Sequence, residues 1–105
     1  MYANAIYRPR VPNEKMLSAF IESDIQKFKD DNPGLVVEES TSLKTADGKT
    51  AKVFFLKPTR QGQWERLAYV EEDEYYMVFV ASSRTESGLL SVSGAYESLV
   101  TQYRW

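Results

Sequence analysis

The run YYMVFVAS, Tyr75 to Ser82, is apolar at both odd and even positions as far as Ala81. Successive side chains of a strand point to opposite faces, so a strand of this composition has to be covered on both sides. The segment therefore predicts a central strand, with other strands beside it and packing layers above and below.

Three extended runs lead up to it. LVVEESTSL (35–43) and AKVFFLK (51–57) are joined through Ala46-Asp47-Gly48-Lys49, and Asp-Gly between extended runs is a strong hairpin signal. WERLAYV (64–70) follows the polar linker KPTRQGQ (57–63) and reaches the apolar strand across Glu71 to Glu74. Short turns between strands predict an antiparallel meander. YANAIYRPRV (2–11) reads as an edge strand or arm, because Pro9 cannot donate to a ladder.

Two segments change period. From Glu14 to about Asp30, Leu17, Phe20, Ile21, Ile25 and Phe28 recur at intervals of three and four, the mark of one helical face. Asn13 is the expected N-cap, and Asn32-Pro33-Gly34 the stop. Leu89, Val92, Tyr96, Leu99, Val100 and Tyr103 repeat that spacing as far as Trp105, with Gly94 inside the helix or marking its start. The expected architecture is one α+β domain over residues 1–105. Its antiparallel sheet of four to five strands is flanked by an N-terminal and a C-terminal helix.

The residue types narrow the chemistry. The chain has no cysteine and no histidine, which removes disulfides, thiolate nucleophiles, Ser-His and Cys-His dyads and zinc sites built on soft ligands. Ser82, Ser83, Ser91, Ser93 and Ser98 have no accompanying base and no Gly-x-Ser-x-Gly turn. The expectation is a protein without catalytic residues, cofactor or metal. A formal charge of −2 gives no general attraction to nucleic acid or to an anionic membrane. No apolar run approaches the roughly 18 residues of a membrane span.

Glu71-Glu72-Asp73-Glu74 is the densest ionisable cluster. A calcium loop needs six or more oxygen ligands, spaced along a loop with a glycine. A glycosidase pair needs carboxylates facing across a cleft. Four contiguous acids at a hairpin tip offer neither. The expected role is a solvated turn that keeps two sticky strands soluble.

The aromatic set is either core or a protein-binding face, where Tyr, Trp and Met are enriched. Trp64, Tyr69, Tyr76 and Met77 are the candidates to line such a face, together with Arg60 of the 57–63 loop and Arg66. A second arrangement is a small-ligand pocket on which Tyr7, Arg8, Arg60 and Arg66 converge.

Three stretches together resemble the PsbP-like fold superfamily: LKTADGKTAKVFFL (43–56), GQWERLAYVEEDEYYMVFVAS (62–82) and the closing AYESLVTQYRW (95–105). The superfamily includes a photosystem subunit, a Ran-binding nuclear import factor and small bacterial exported proteins and lipoproteins. The likeness covers roughly residues 13–105 and carries no catalytic motif. It implies an α/β/α sandwich acting as a binding or accessory module for a protein partner, in a bacterial exported setting such as the periplasm. A chaperone for an apolar segment of a partner is a related form. Members of the group commonly begin with an extra strand or hairpin, and here only 2–11 is present. The chain is therefore expected to be trimmed of a leader and first strands, leaving a sheet edge that a homodimer could cover.

Overall fold

A computed structural model describes all 105 residues. Its strands are β1 (Tyr2–Tyr7), β2 (Val36–Glu39), β3 (Leu43–Lys44), β4 (Thr50–Lys57), β5 (Trp64–Glu71) and β6 (Tyr75–Ser83). The helices are α1 (Leu17–Asp31), α2 (Glu86–Ser91) and α3 (Ser93–Thr101), with one 3-10 turn at Arg8–Arg10. All pairings are antiparallel, in the order β1-β6-β5-β4-β2, and β3 also pairs with β4. This is an α+β fold with a six-stranded sheet.

Strand alternation builds two cores. Leu56, Leu67, Tyr69, Tyr76, Val78 and Val80 point to one face and pack on Phe20, Ile21 and Ile25 of α1. Ala51, Val53, Ala68, Val70, Met77, Phe79 and Ala81 point to the other and pack on Leu89, Tyr96 and Val100 of α2 and α3. Each buried side chain of Val or Leu size contributes about 1.5–3 kcal/mol, so both layers are needed to hold the sheet. β6 has β5 on one side and β1 on the other, and residues 76–81 are buried. Its two-sided apolar composition is matched by that placement. Because β1 and β2 lie on opposite edges, the chain between them crosses one sheet face, and the apolar stripe of α1 closes that face.

Four details depart from the sequence reading. Helix α1 begins at Leu17 rather than Glu14, and Asn13 does not cap it; Met16 holds the N-cap position without a side-chain bond. The carbonyls of Glu14 and Lys15 are taken by the Tyr76 hydroxyl (2.7 Å) and the Arg8 guanidinium (3.1 Å). An earlier helix start would need those same acceptors.

The 35–43 run is split in two. Glu39 opposes Phe54 and Leu43 opposes Ala51, so four steps on one strand meet three on β4. That extra residue is a bulge, and it raises the strand count to six.

The C-terminal helix breaks at Val92 (φ −104°, ψ 7°) into α2 and α3, which lets α2 lie on β5 and β6 while α3 reaches β3. Gly94 falls in the first turn of α3 with open space around it.

The helix also stops before Trp105. The Tyr103 carbonyl accepts from Ala46 N–H at 2.8 Å, and the Trp105 N–H donates to Asp47 at 3.2 Å, so the tail docks on the 46–49 loop. Gly48 supplies the positive φ (+80°) that this loop requires.

Candidate functional site

The six sequence candidates do not share one face. Trp64, Arg66 and Met77 point toward α2 and α3, whereas Tyr69 and Tyr76 point toward α1, as the alternation along β5 and β6 requires.

Tyr69 and Tyr76 are fully enclosed, at 0% exposure, so they cannot line a binding face. Tyr69 donates to Asp24 at 2.7 Å. Burial, followed by this bond to a carboxylate, pushes its ionisation far above the usual tyrosine range. Tyr76 stacks on Phe20 at 4.6 Å and carries the Arg8 guanidinium 4.8 Å above its ring. Met77 is core too.

Arg66 is 7% exposed and already engaged. Its Nη2 donates to Glu97 at 3.1 Å, and the guanidinium lies 5.1 Å from the Phe55 and Tyr96 rings. It pins β5 to α3 and presents little to solvent. Helices cover the two sheet faces over Tyr69, Tyr76 and Met77, so these three line no open groove.

The small-ligand arrangement also separates. Tyr7 and Arg8 stand at the β1–β6 end, beside Lys15, Asp73 and Glu74. Arg60 stands by Trp64, at the far end of β5 from Glu71. Arg66 lies between them on the opposite face from α1. These four residues form no common pocket.

The acidic turn is only partly solvated. Glu71 pairs with Arg8 at 3.1 Å, and Glu72 turns inward to Lys49 at 2.6 Å with its side chain 1% exposed. Asp73 and Glu74 stay in solvent. Tyr103 lies next to the Glu72 carboxylate. Its hydroxyl is pushed up to about 12, by burial first and then by the negative charge of Glu72. The alternation of a short turn hid this: one acid of four falls on the inner side, where the tail returns. No group of three or more acids in the chain is arranged to hold a metal ion.

What remains accessible is Trp64, half-buried at the start of β5. It lines two adjoining hollows. One, of about 270 Å³, is bounded by Phe55, Leu89 and Leu90 with Glu38, Glu39, Glu86 and Lys57. The other, of about 510 Å³, is bounded by Arg60, Gln61, Gly62, Gln63 and Arg84. Lys57 is bonded to Glu38 at 2.7 Å, which raises its ammonium above the usual lysine value and leaves Glu86 as the unpaired acid beside it.

The site is thus a half-buried indole with an acidic, apolar hollow on one side and a basic one on the other. Leu90 is 55% exposed at the rim. Sequence reasoning found Trp64 and Arg60 but missed Glu38, Glu39, Glu86, Arg84 and Leu90. Register would have found Glu38 and Glu39 of β2, which sit opposite Phe55 and Phe54; Glu86, Leu90 and Arg84 come from α2 and its approach, whose docking no local pattern specifies.

Comparison with protein-family models, with curated proteins and with solved structures gives no match for this chain. No helix of the chain is long and apolar enough to cross a membrane.

Proposed function

We propose that this chain is a non-catalytic binding or accessory module that recognises a segment of a protein partner in the groove around Trp64. The observation that carries the reading is the position of Trp64, between a hollow with unpaired Glu86 and one with Arg60 and Arg84. A half-buried indole offers a large apolar surface at low cost in conformational entropy. The two charged hollows select a segment with a basic group on one side of an apolar residue and an acidic group on the other. The PsbP-like resemblance supports the same class of role, and with it a bacterial exported setting.

The test uses a Trp105→Phe background, in which Trp64 is the one remaining indole. Displayed peptides carrying basic–apolar–acidic sequences are selected against the chain, and the emission of Trp64 is followed on titration. Saturable emission changes that disappear in a Leu90→Asp variant, and calorimetric binding that disappears in Trp64→Ala, which retains no indole to report, both at unaltered melting temperature, support the groove. Selected peptides that bind both variants as well as the parent chain would falsify it.

A further inference from the structure

Strand β1 has a single neighbour, β6, and its other edge is open. The Arg8 N–H donates to the Glu74 carbonyl at 2.9 Å, one step beyond the Tyr7–Tyr75 pair. Hydrogen-bonded and non-bonded pairs alternate along an antiparallel ladder, so Tyr2, Asn4, Ile6 and Arg8 direct their backbone groups to β6. The N–H groups of Ala3, Ala5 and Tyr7 and the carbonyls of Ala3 and Ala5 therefore point outward, with no partner in the chain.

Protein edges are normally protected by charge, proline, a bulge or a covering loop. Tyr2–Tyr7 reads YANAIY: six residues without charge, proline or glycine, in unbroken register with β6. The opposite edge differs. β2 has only four residues, two of them the exposed acids Glu38 and Glu39. The apolar character of the β1 edge continues onto the body of the protein. Tyr7 packs on Tyr75 at 5.4 Å and Tyr75 on Trp105 at 5.2 Å, while Tyr7 and Trp105 remain 41% and 65% exposed.

We infer that two copies of this chain join through β1, antiparallel about a two-fold axis, to make one sheet continuous across both. The chemistry of the edge selects the occupant. An uncharged strand placed against itself brings no like charges together, whereas β2 against β2 would oppose acids. β1 against the β2 edge of another copy is a head-to-tail contact that leaves free edges and does not close. An axis through Ala5 sets Ala5 against Ala5 and Ala3 against Tyr7 of the second copy, small opposite large. It satisfies the Ala5 and Tyr7 N–H groups with the Ala5 and Ala3 carbonyls. This interface lies away from the Trp64 groove and does not depend on it.

The experiment is sedimentation equilibrium and light scattering over micromolar to millimolar concentrations, with amide exchange read at both ends. The expected result is a concentration-dependent dimer in which the Ala5 and Tyr7 amides become protected as it forms. Ala5→Pro removes an N–H that makes no bond within the chain. It should weaken the dimer about 30-fold or more, two net hydrogen bonds being lost across the axis, with circular dichroism unchanged. Ala5→Lys keeps every backbone group, sets lysine against lysine across the axis and should also dissociate the dimer, which covers the case of a proline variant that fails to fold. Trp64→Ala should remain dimeric.

A parent chain of single-copy mass at millimolar concentration overturns the proposal. So does a folded Ala5→Lys or Ala5→Pro variant of undiminished dimer affinity, or amide exchange at residues 5 and 7 that ignores concentration.

Discussion

Glu72 and Lys49 meet at 2.6 Å inside the turn that the sequence presents as a purely solvated acidic tip. The carboxylate is enclosed, while Lys49 keeps about a third of its side chain in water (35% exposed). The pair links the β5–β6 turn to the 46–49 loop, and Tyr103 brings the C-terminal tail against both. An enclosed carboxylate with one cation and a neighbouring phenol holds three segments distant in sequence at one point.

Removing the cation alone should therefore cost more than removing the acid. Lys49→Met leaves the Glu72 charge enclosed and should destabilise by about 2 kcal/mol, less than a fully buried pair because water reaches Lys49. Glu72→Gln should cost about 1 kcal/mol, and the double variant should recover part of the Lys49→Met loss. Urea unfolding of the four proteins as a double-mutant cycle checks this; strictly additive losses would show that the two residues are not coupled.

Tyr76 is a core ring with one hydrogen bond, and its variants should separate those roles. Tyr76→Phe loses the bond to the Glu14 carbonyl (2.7 Å) and should cost about 1 kcal/mol. Tyr76→Ala also loses the stack on Phe20 and should cost about 3–5 kcal/mol. Near-equal effects in denaturant melts would place the ring outside the core.

Alkaline pH should destabilise the fold from about pH 10 upward. Burial raises Tyr69 and Tyr96 well above their ordinary 10.0, and Lys49 is raised above 10.5 by its bond to Glu72. Once pH passes the unfolded values, the folded state holds more protons than the unfolded one, so stability falls with rising pH. Tyr69→Phe and Tyr96→Phe should each flatten that decline. Tyrosinate absorbance should show a fraction that appears only as circular dichroism is lost; full ionisation before unfolding would contradict this.

Glu65 should act on the acidic side. Burial raises its carboxyl above the usual 4.5, against an opposing bond from Ser82. The unfolded state gives up this proton first, so the folded state is favoured below 4.5 and loses that advantage as pH rises through the raised value. Glu65→Gln should therefore raise the melting temperature at neutral pH and leave it nearly unchanged at about pH 3. An equal gain at both would point to packing rather than charge.

Much of the scaffold can be read along the chain. The Asp-Gly hairpin, the 3.6-residue stripe of α1 and the two-sided apolar strand at 75–82 each follow from local chemistry. Their consequences, an antiparallel sheet and helical cover, are present in the structure. The candidate site was less legible. Alternation along β5 and β6 already implies that Trp64 and Tyr69 face opposite ways, yet an aromatic pattern does not say which face stays open. That depends on where α1 and the pair α2–α3 come to rest.

Residue type and period thus determined which segments are strands and helices, which chemistries are excluded, and that the 75–82 strand needs cover on both sides. These are local properties, fixed by backbone sterics and side-chain polarity. Tertiary structure decided that Tyr69, Tyr76 and Arg66 are enclosed, that one acid of four turns inward to Lys49, and that Trp64 and the β1 edge remain open. Enclosure is a property of what packs against a residue, and the packing partners lie tens of residues away: Asp24 for Tyr69, Glu97 for Arg66 and Lys49 for Glu72.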